Sequence, residues 1–244
     1  MNAPATQPSS QTSLSTQSTQ TGQDPHPPTG AGSWLVVCDV DSTFLRDEVI
    51  ELFARHAGVE AQVAAVTEAA MRGELDFAQS LHERVALLAG LPVQVAQEVR
   101  AAVRLTPGAA EFARALRDGG HTLALVSGGF AEVVEPLARE LGIPHVTANR
   151  FEVVDGTLTG RVSGRIVDRQ VKADTLRELA TQLGIPRERT AAVGDGANDL
   201  DMLAAAGTGI AFTAKPVVRD AATVVIDEPD LRLVLDALGL PREP

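Results

Sequence analysis

Five short apolar runs recur between residues 34 and 226: Trp34–Cys38, Thr122–Val126, Thr190–Val193, Gly209–Phe212 and Thr223–Ile226. Unbroken apolar runs of this length predict strands buried on both faces, as in a parallel sheet. Between them the spacing shifts to the helical period. Ala109–Arg117 shows it, and so does Ala173–Leu183, where Leu176, Leu179, Ala180 and Leu183 share one face and Gly184 stops the run. Alternation of this kind predicts an α/β fold, doubly wound, with a mostly parallel sheet.

Two regions break the alternation. From Glu48 to Val103 the pattern is helical throughout, carried by Val49, Ile50, Leu52 and Phe53, then Val63, Val66 and Ala70, then Leu81, Val85 and Leu88. Gly58, Gly73, Gly90 and Pro92 divide it into segments. It reads as a small helical cap inserted after the first strand. Between Arg150 and Arg165 the turn dipeptide Asp155-Gly156 separates two β-prone runs, which predicts a β-hairpin insert. Pro136 falls inside the helix expected after Phe130, where it either kinks that helix or starts it. Residues 1–33 are rich in Gln, Ser, Thr, Pro and Gly, contain no Lys or Arg, and read as a disordered low-complexity tail. The expected organisation is therefore a tail over 1–33, an α/β core over 34–47 and 104–244, and a cap over 48–103.

Composition narrows the partners. The 244 residues carry a formal net charge of -11, which disfavours nucleic acid and anionic membranes. Aromatic content is 3% with no tyrosine, so base-stacking platforms are not expected. The lone cysteine, Cys38, excludes an internal disulfide and reads as a small core residue. The first residues lack the basic and apolar regions of a secretory signal, and no apolar stretch approaches the ~18 residues of a membrane span. The expectation is a cytoplasmic protein, monomer or homodimer.

Candidate chemistry clusters at the carboxyl ends of the predicted strands, where open α/β sheets bind ligands. Asp39 and Asp41 follow the first strand, Ser127-Gly128-Gly129 the second, and Gly194-Asp195-Gly196-Ala197-Asn198-Asp199 the third. Each set suits a phosphate. Asp39 could attack phosphorus to form an aspartyl-phosphate, and Asp41 could protonate the leaving oxygen. Ser127 and the glycine backbone could cradle phosphate oxygens. Asp195 offers hard oxygen to a divalent cation, and Lys172 is a cation for the transferring group. Taken singly, each has a bland reading: loop acids, a plain turn, a solvated lysine. His56, His82, His121 and His145 show no ligand spacing.

These motifs, in this order, resemble those of the haloacid dehalogenase superfamily, and the closer resemblance is to the phosphoserine phosphatase family. It covers about Trp34 to Leu235 and includes Glu48, the segment from Met71 to Arg84, Val126–Phe130 and Gly194–Leu203. The resemblance implies hydrolysis of O-phospho-L-serine to serine and phosphate, the last step of serine biosynthesis, with Mg²⁺ or Mn²⁺ as cofactor and a small phosphorylated amino acid as partner. It implies Asp39 as nucleophile and metal ligand, and Asp41 as acid and metal ligand through its carbonyl. Asp195 becomes the third ligand, with Asp199 behind it positioning metal water or Lys172. Ser127, Gly128, Gly129, Lys172 and Asn198 become phosphate and substrate contacts. Glu48 and Arg84 would grip the ammonium and carboxylate of phosphoserine, which suit a carboxylate and a guanidinium. Met71 and Phe77 would be apolar walls. The bland alternatives for these four are a solvated helix face and ordinary core packing. Three rival functions remain: a phosphomonoesterase for another small phosphometabolite, a phosphotransferase to an acceptor alcohol, and a non-catalytic phospho-ligand sensor.

Overall fold

In the computed structural model the described residues are Met1, 32–72 and 74–242, with the backbone alone for Met71. The tail expected over 1–33 lies almost wholly outside them, as do Gly73 and the Met71 side chain.

One seven-stranded sheet organises the chain. Its strands are β1 (Leu35–Cys38), β2 (Thr122–Phe130), β3 (His145–Val154), β4 (Thr157–Ser163), β5 (Thr190–Gly194), β6 (Thr208–Phe212) and β7 (Val224–Ile226). Their order is β4-β3-β2-β1-β5-β6-β7, all parallel except β4, which runs antiparallel to β3. The central strands bury both faces, and alternate residues enter two separate cores. Val36, Cys38, Leu123, Leu125, Val193, Ile210 and Phe212 enter one. Leu35, Val37, Ala124, Val126, Ala192 and Ala211 enter the other.

Helices cover the two faces. On the first lie α1 (Val49–Ala57), α5 (Ala109–Asp118), α6 (Ala131–Glu140) and α10 (Arg232–Ala237). On the second lie α7 (Arg169–Leu183), α8 (Leu200–Ala205) and α9 (Pro216–Ala221). Alanines on that face of the sheet let α7 and α8 approach closely.

Four elements differ from the sequence expectation. β2 continues past Val126 to Phe130, because Gly128 and Gly129 form a bulge between the pairs Ser127–Ala148 and Phe130–Asn149. The first half of β3 did not read as a strand, since His145, Thr147 and Asn149 interrupt its apolar pattern. α7 begins at Arg169, not Ala173, with the Asp168 carboxylate accepting from Val171 N at 2.8 Å. Lys172 therefore lies inside its first turn. Pro136 sits in the interior of α6, which starts at Ala131.

The helical region comprises α1, α2 (Glu60–Met71), α3 (Phe77–Ala86) and α4 (Val95–Ala102). Gly58, at φ 67°, closes α1 in the left-handed conformation glycine tolerates. Two linkers join this insert to the sheet and pair with each other. Arg46 N donates to Arg104 O at 2.9 Å, and Thr106 N to Phe44 O at 3.0 Å. Asp47 accepts from both the Arg104 backbone N at 2.7 Å and its guanidinium at 2.5 Å. The insert also touches the hairpin. Leu158 N donates to Leu91 O at 2.8 Å, and Gly90 N to Leu158 O at 2.9 Å. Phe53 of α1 meets Phe130 and Phe151 edge-on, while those two rings stack at 3.7 Å. The hairpin turn, Asp155 at φ 48° and Gly156 at φ 75°, has the left-handed pair a two-residue loop requires. Among the described residues no helix is long and apolar enough to cross a membrane.

Candidate active site

The parallel strands β1, β2 and β5 end side by side, so residues far apart in sequence meet above their carboxyl edge. Asp39 leaves β1 with its backbone N donating to Val193 O at 2.9 Å, which extends the β1–β5 ladder to that residue. The following residues 40–44 form a tight turn closed by Phe44 N donating to Asp39 O at 3.3 Å and Leu45 N to Val40 O at 2.8 Å, with an extended Asp41 and Ser42 at φ 57° inside it.

At the floor, Lys172 reaches in from α7. Its Nζ donates to Asp39 Oδ1 at 2.6 Å and to Asp199 Oδ1 at 2.7 Å, and all three groups are buried. Burial alone would favour a neutral lysine, but the charges of Asp199 and Asp39 outweigh it and raise its pKa. Asp39 is pushed well up, first by burial and then by Asp199, with Lys172 opposing.

Asp199 is consumed by its neighbours. Its other oxygen accepts from Gly196 N at 3.1 Å. Both oxygens thus have protein donors, and the carboxylate lies behind the front of the site. Asp195 is more open. Its Oδ1 accepts from Thr43 Oγ1 at 3.2 Å, and its pKa is raised to about 6 by burial, Asp199 and Glu48. Asp39, Asp195 and Asp199 each bring one ligand oxygen within 4.8 Å of the others. An all-oxygen, partly dehydrated acidic set fits a hard divalent cation such as Mg²⁺ or Mn²⁺.

Asp41 faces the opposite wall. Its Oδ1 accepts from Val49 N at 2.9 Å at the start of α1, and its Oδ2 lies 3.3 Å from Ser127 Oγ. Burial and the Glu48 charge raise its pKa to about 7, against the Val49 N–H, which lowers it. Ser127 Oγ also accepts from Gly129 N at 2.8 Å. A Cβ on Gly129 would stand 2.5 Å from Asp41 Oδ2, so only glycine leaves room for that carboxylate. A Cβ on Gly128 would stand 3.1 Å from the Phe77 ring, which closes over the loop from α3.

Glu48 and Arg84 form the roof. Glu48 accepts from Ser42 Oγ at 2.7 Å, and Arg84 Nε donates to Ser80 O at 3.2 Å. Arg84 is half-buried; burial lowers its pKa against the pull of Glu48 and Asp41. The two charges therefore sit near each other and near Asp41. Asn198 lies half-buried in the turn between β5 and α8, its carbonyl packed against Gly196.

Two residues here escaped the sequence reading. Thr43 holds Asp195; its place beside Asp41 and Ser42 was the available clue. Asn149 donates to Gly128 O at 2.7 Å and accepts from Val167 N at 2.8 Å, so it ties the glycine loop to the segment before α7. A buried polar residue in a strand gave no signal of that partnership.

A haloacid dehalogenase-like hydrolase family model matches residues 36–204. The phosphoserine phosphatase of Streptomyces coelicolor is 60% identical over 86% of this chain and 51% of its own length. That of Streptococcus thermophilus is 51% identical over 84% of this chain and 95% of its own length. A substrate-bound phosphoserine phosphatase superimposes with a TM-score of 0.79 at 41% identity, covering 84% of this chain and 98% of that one. The chain spans about half the length of the Streptomyces coelicolor and Mycobacterium tuberculosis relatives it matches.

Proposed function

Since the chain belongs to the haloacid dehalogenase-like hydrolase family and groups within it with the phosphoserine phosphatases, we propose that it hydrolyses O-phospho-L-serine to L-serine and phosphate. The observation that carries this reading is the buried Lys172 shared between Asp39 and Asp199 at the mouth of three strand ends. A carboxylate held by one cation and flanked by a second acid suits nucleophilic attack on phosphorus better than passive binding.

In this mechanism Asp39 attacks the phosphorus in line. The P–O bond to serine breaks, and the leaving alkoxide takes a proton from Asp41. An acid raised to about 7 is protonated in roughly half of the molecules at neutral pH, so it can both give and take the proton there. Asp41, now a carboxylate, removes a proton from water as it attacks the aspartyl-phosphate, and inorganic phosphate departs with Asp39 restored. Ser127 and the Gly128–Gly129 backbone orient the phosphate oxygens, and Asn198 borders the same space. Lys172 holds Asp39 and balances charge on the transferring group. Asp39, Asp195 and the Asp41 carbonyl would hold Mg²⁺, with Asp199 fixing Lys172 behind them. When bound, the cation offsets repulsion between the anionic nucleophile and the anionic phosphate.

The substrate assignment rests on the roof. Glu48 suits the ammonium of phosphoserine, and Arg84 its carboxylate. Phe77, over Gly128, limits bulk water, and the helical insert over 48–103 acts as a lid. A relative captured as a phospho-aspartyl intermediate analogue and another with substrate bound support the same chemistry for this chain.

Phosphate release measured across a phosphomonoester panel, with and without EDTA, tests the proposal. Phosphoserine should give the highest kcat/KM, and EDTA should abolish turnover. A better substrate from another class overturns the specificity, and EDTA-resistant turnover overturns the metal.

A further inference from the structure

Thr106 lies between α4 and α5, where the chain returns from the helical insert to the sheet. It is buried, and its hydroxyl donates to the Thr43 carbonyl at 2.7 Å. Its backbone N donates to the next carbonyl, Phe44 O, at 3.0 Å. Thr43 and Phe44 end the tight turn that follows Asp39, and Leu45 is already extended at φ -104°. No further helical turn exists to donate to these carbonyls, so Thr106 supplies both donors from across the linker. Thr43 in turn places its own hydroxyl 3.2 Å from Asp195 Oδ1.

We propose that Thr106 is a positioning residue for Asp195, acting through Thr43 to set the carboxylate for the divalent cation. This role rests on the reading of Asp195 as a metal ligand. The chain Thr106–Thr43–Asp195 starts beside the paired linkers, where Arg46 and Leu45 meet Arg104 and Leu105. Movement of the insert about these linkers therefore acts on the Thr43 carbonyl, and the metal site and the insert share one hydrogen-bonded path.

Thr106→Val keeps the shape and removes the hydroxyl, whereas Thr106→Ser keeps the hydroxyl. Mg²⁺ uptake by metal-stripped protein, followed by calorimetric titration without substrate, reads the effect directly. Thr106→Val should raise the Mg²⁺ dissociation constant roughly tenfold, the scale for losing a group that orients a ligand, and Thr106→Ser should return it to within about twofold. Thr43→Val, which removes the hydroxyl on Asp195 itself, should weaken Mg²⁺ at least as much. Thr106→Ala serves if the valine variant does not fold. A folded hydroxyl-free variant with wild-type Mg²⁺ affinity and only a lower Tm overturns the role, as does serine failing to restore affinity. Failure of every hydroxyl-free variant to fold also overturns it in favour of a purely structural role. If the wild-type protein takes up no Mg²⁺, the metal reading itself falls, and this role with it.

Discussion

The floor and the roof of the site are held in opposite ways. At the floor, Lys172 bonds Asp39 across 133 residues and Asp199 across 27, with every partner buried. At the roof, Glu48 is held by Ser42 six residues away, and Arg84 by Ser80 four residues away, both partly exposed. The floor exists only when β1, β5 and α7 are in place, so its geometry is a property of the tertiary fold. The roof depends on local bonds within the segments bearing its charges. The separation is therefore partial: no roof charge acts on Asp39, whereas Glu48 raises the pKa of Asp41 and Asp195 and Arg84 senses Asp41.

The sharpest test of the floor is Asp39→Asn. Loss of the nucleophile should lower kcat on every phosphomonoester by on the order of 10⁶-fold, the scale for deleting a covalent nucleophile. Persistent wild-type turnover would sink the assignment. Lys172→Met should be the next largest effect, and it is read in stability. It strands two buried carboxylates, and breaking a buried charge network in this way costs about 3–5 kcal/mol. Urea unfolding of the metal-free protein at neutral pH measures it, and a cost below that of an exposed pair would mean that water reaches these carboxylates.

The roof should respond selectively. Arg84→Ala removes one charged grip, worth about 1.5–3 kcal/mol, or roughly 10- to 100-fold in kcat/KM for phosphoserine. A generic aryl phosphate, with no carboxylate to grip, should change by less than about threefold. Equal losses on both substrates would erase the distinction between floor and roof and favour a different phosphomonoester.

The same division explains what the sequence disclosed. β1, β2 and β5 were legible because a strand buried on both faces is an unbroken apolar run. Asp155-Gly156 announced its turn because few residue pairs tolerate two left-handed positions. The meeting of Asp39, Asp41, Ser127 and Asp195 at one edge of the sheet was legible because parallel strands bring their carboxyl ends together. What stayed hidden depends on tertiary partners. The His145–Asn149 half of β3 is half-polar because it sits near the sheet edge and uses Asn149 to brace the glycine loop. The start of α7 was missed because its first turn is polar, and the residue that matters there, Lys172, is buried and meets partners, Asp39 and Asp199, from distant parts of the chain. No spacing rule states that Thr106 completes a turn after β1, since that contact spans 63 residues.

The smallest expected effect lies where floor and roof join. Asp47 and Arg104 clamp the two linkers, and the Arg104 side chain is largely exposed. The guanidinium hydrogen bond lowers the Asp47 pKa below its ordinary value. A depressed carboxylate pKa means that its contribution is fully present above the unfolded value of about 3.9 and is lost as pH falls through the folded value. Asp47→Asn should therefore cost under about 1 kcal/mol at pH 7, the range of exposed pairs, and wild type and variant should converge in stability as pH drops below the folded pKa of Asp47. Urea unfolding from pH 7 down to about pH 2, through the window below the unfolded value, gives the two curves. A gap that stays constant over that range would mean that the clamp works through the Arg104 backbone bond and not through its charge. In that case the linkers would be stiffer than an exposed ion pair can make them, and the roof would be less free to move against the floor.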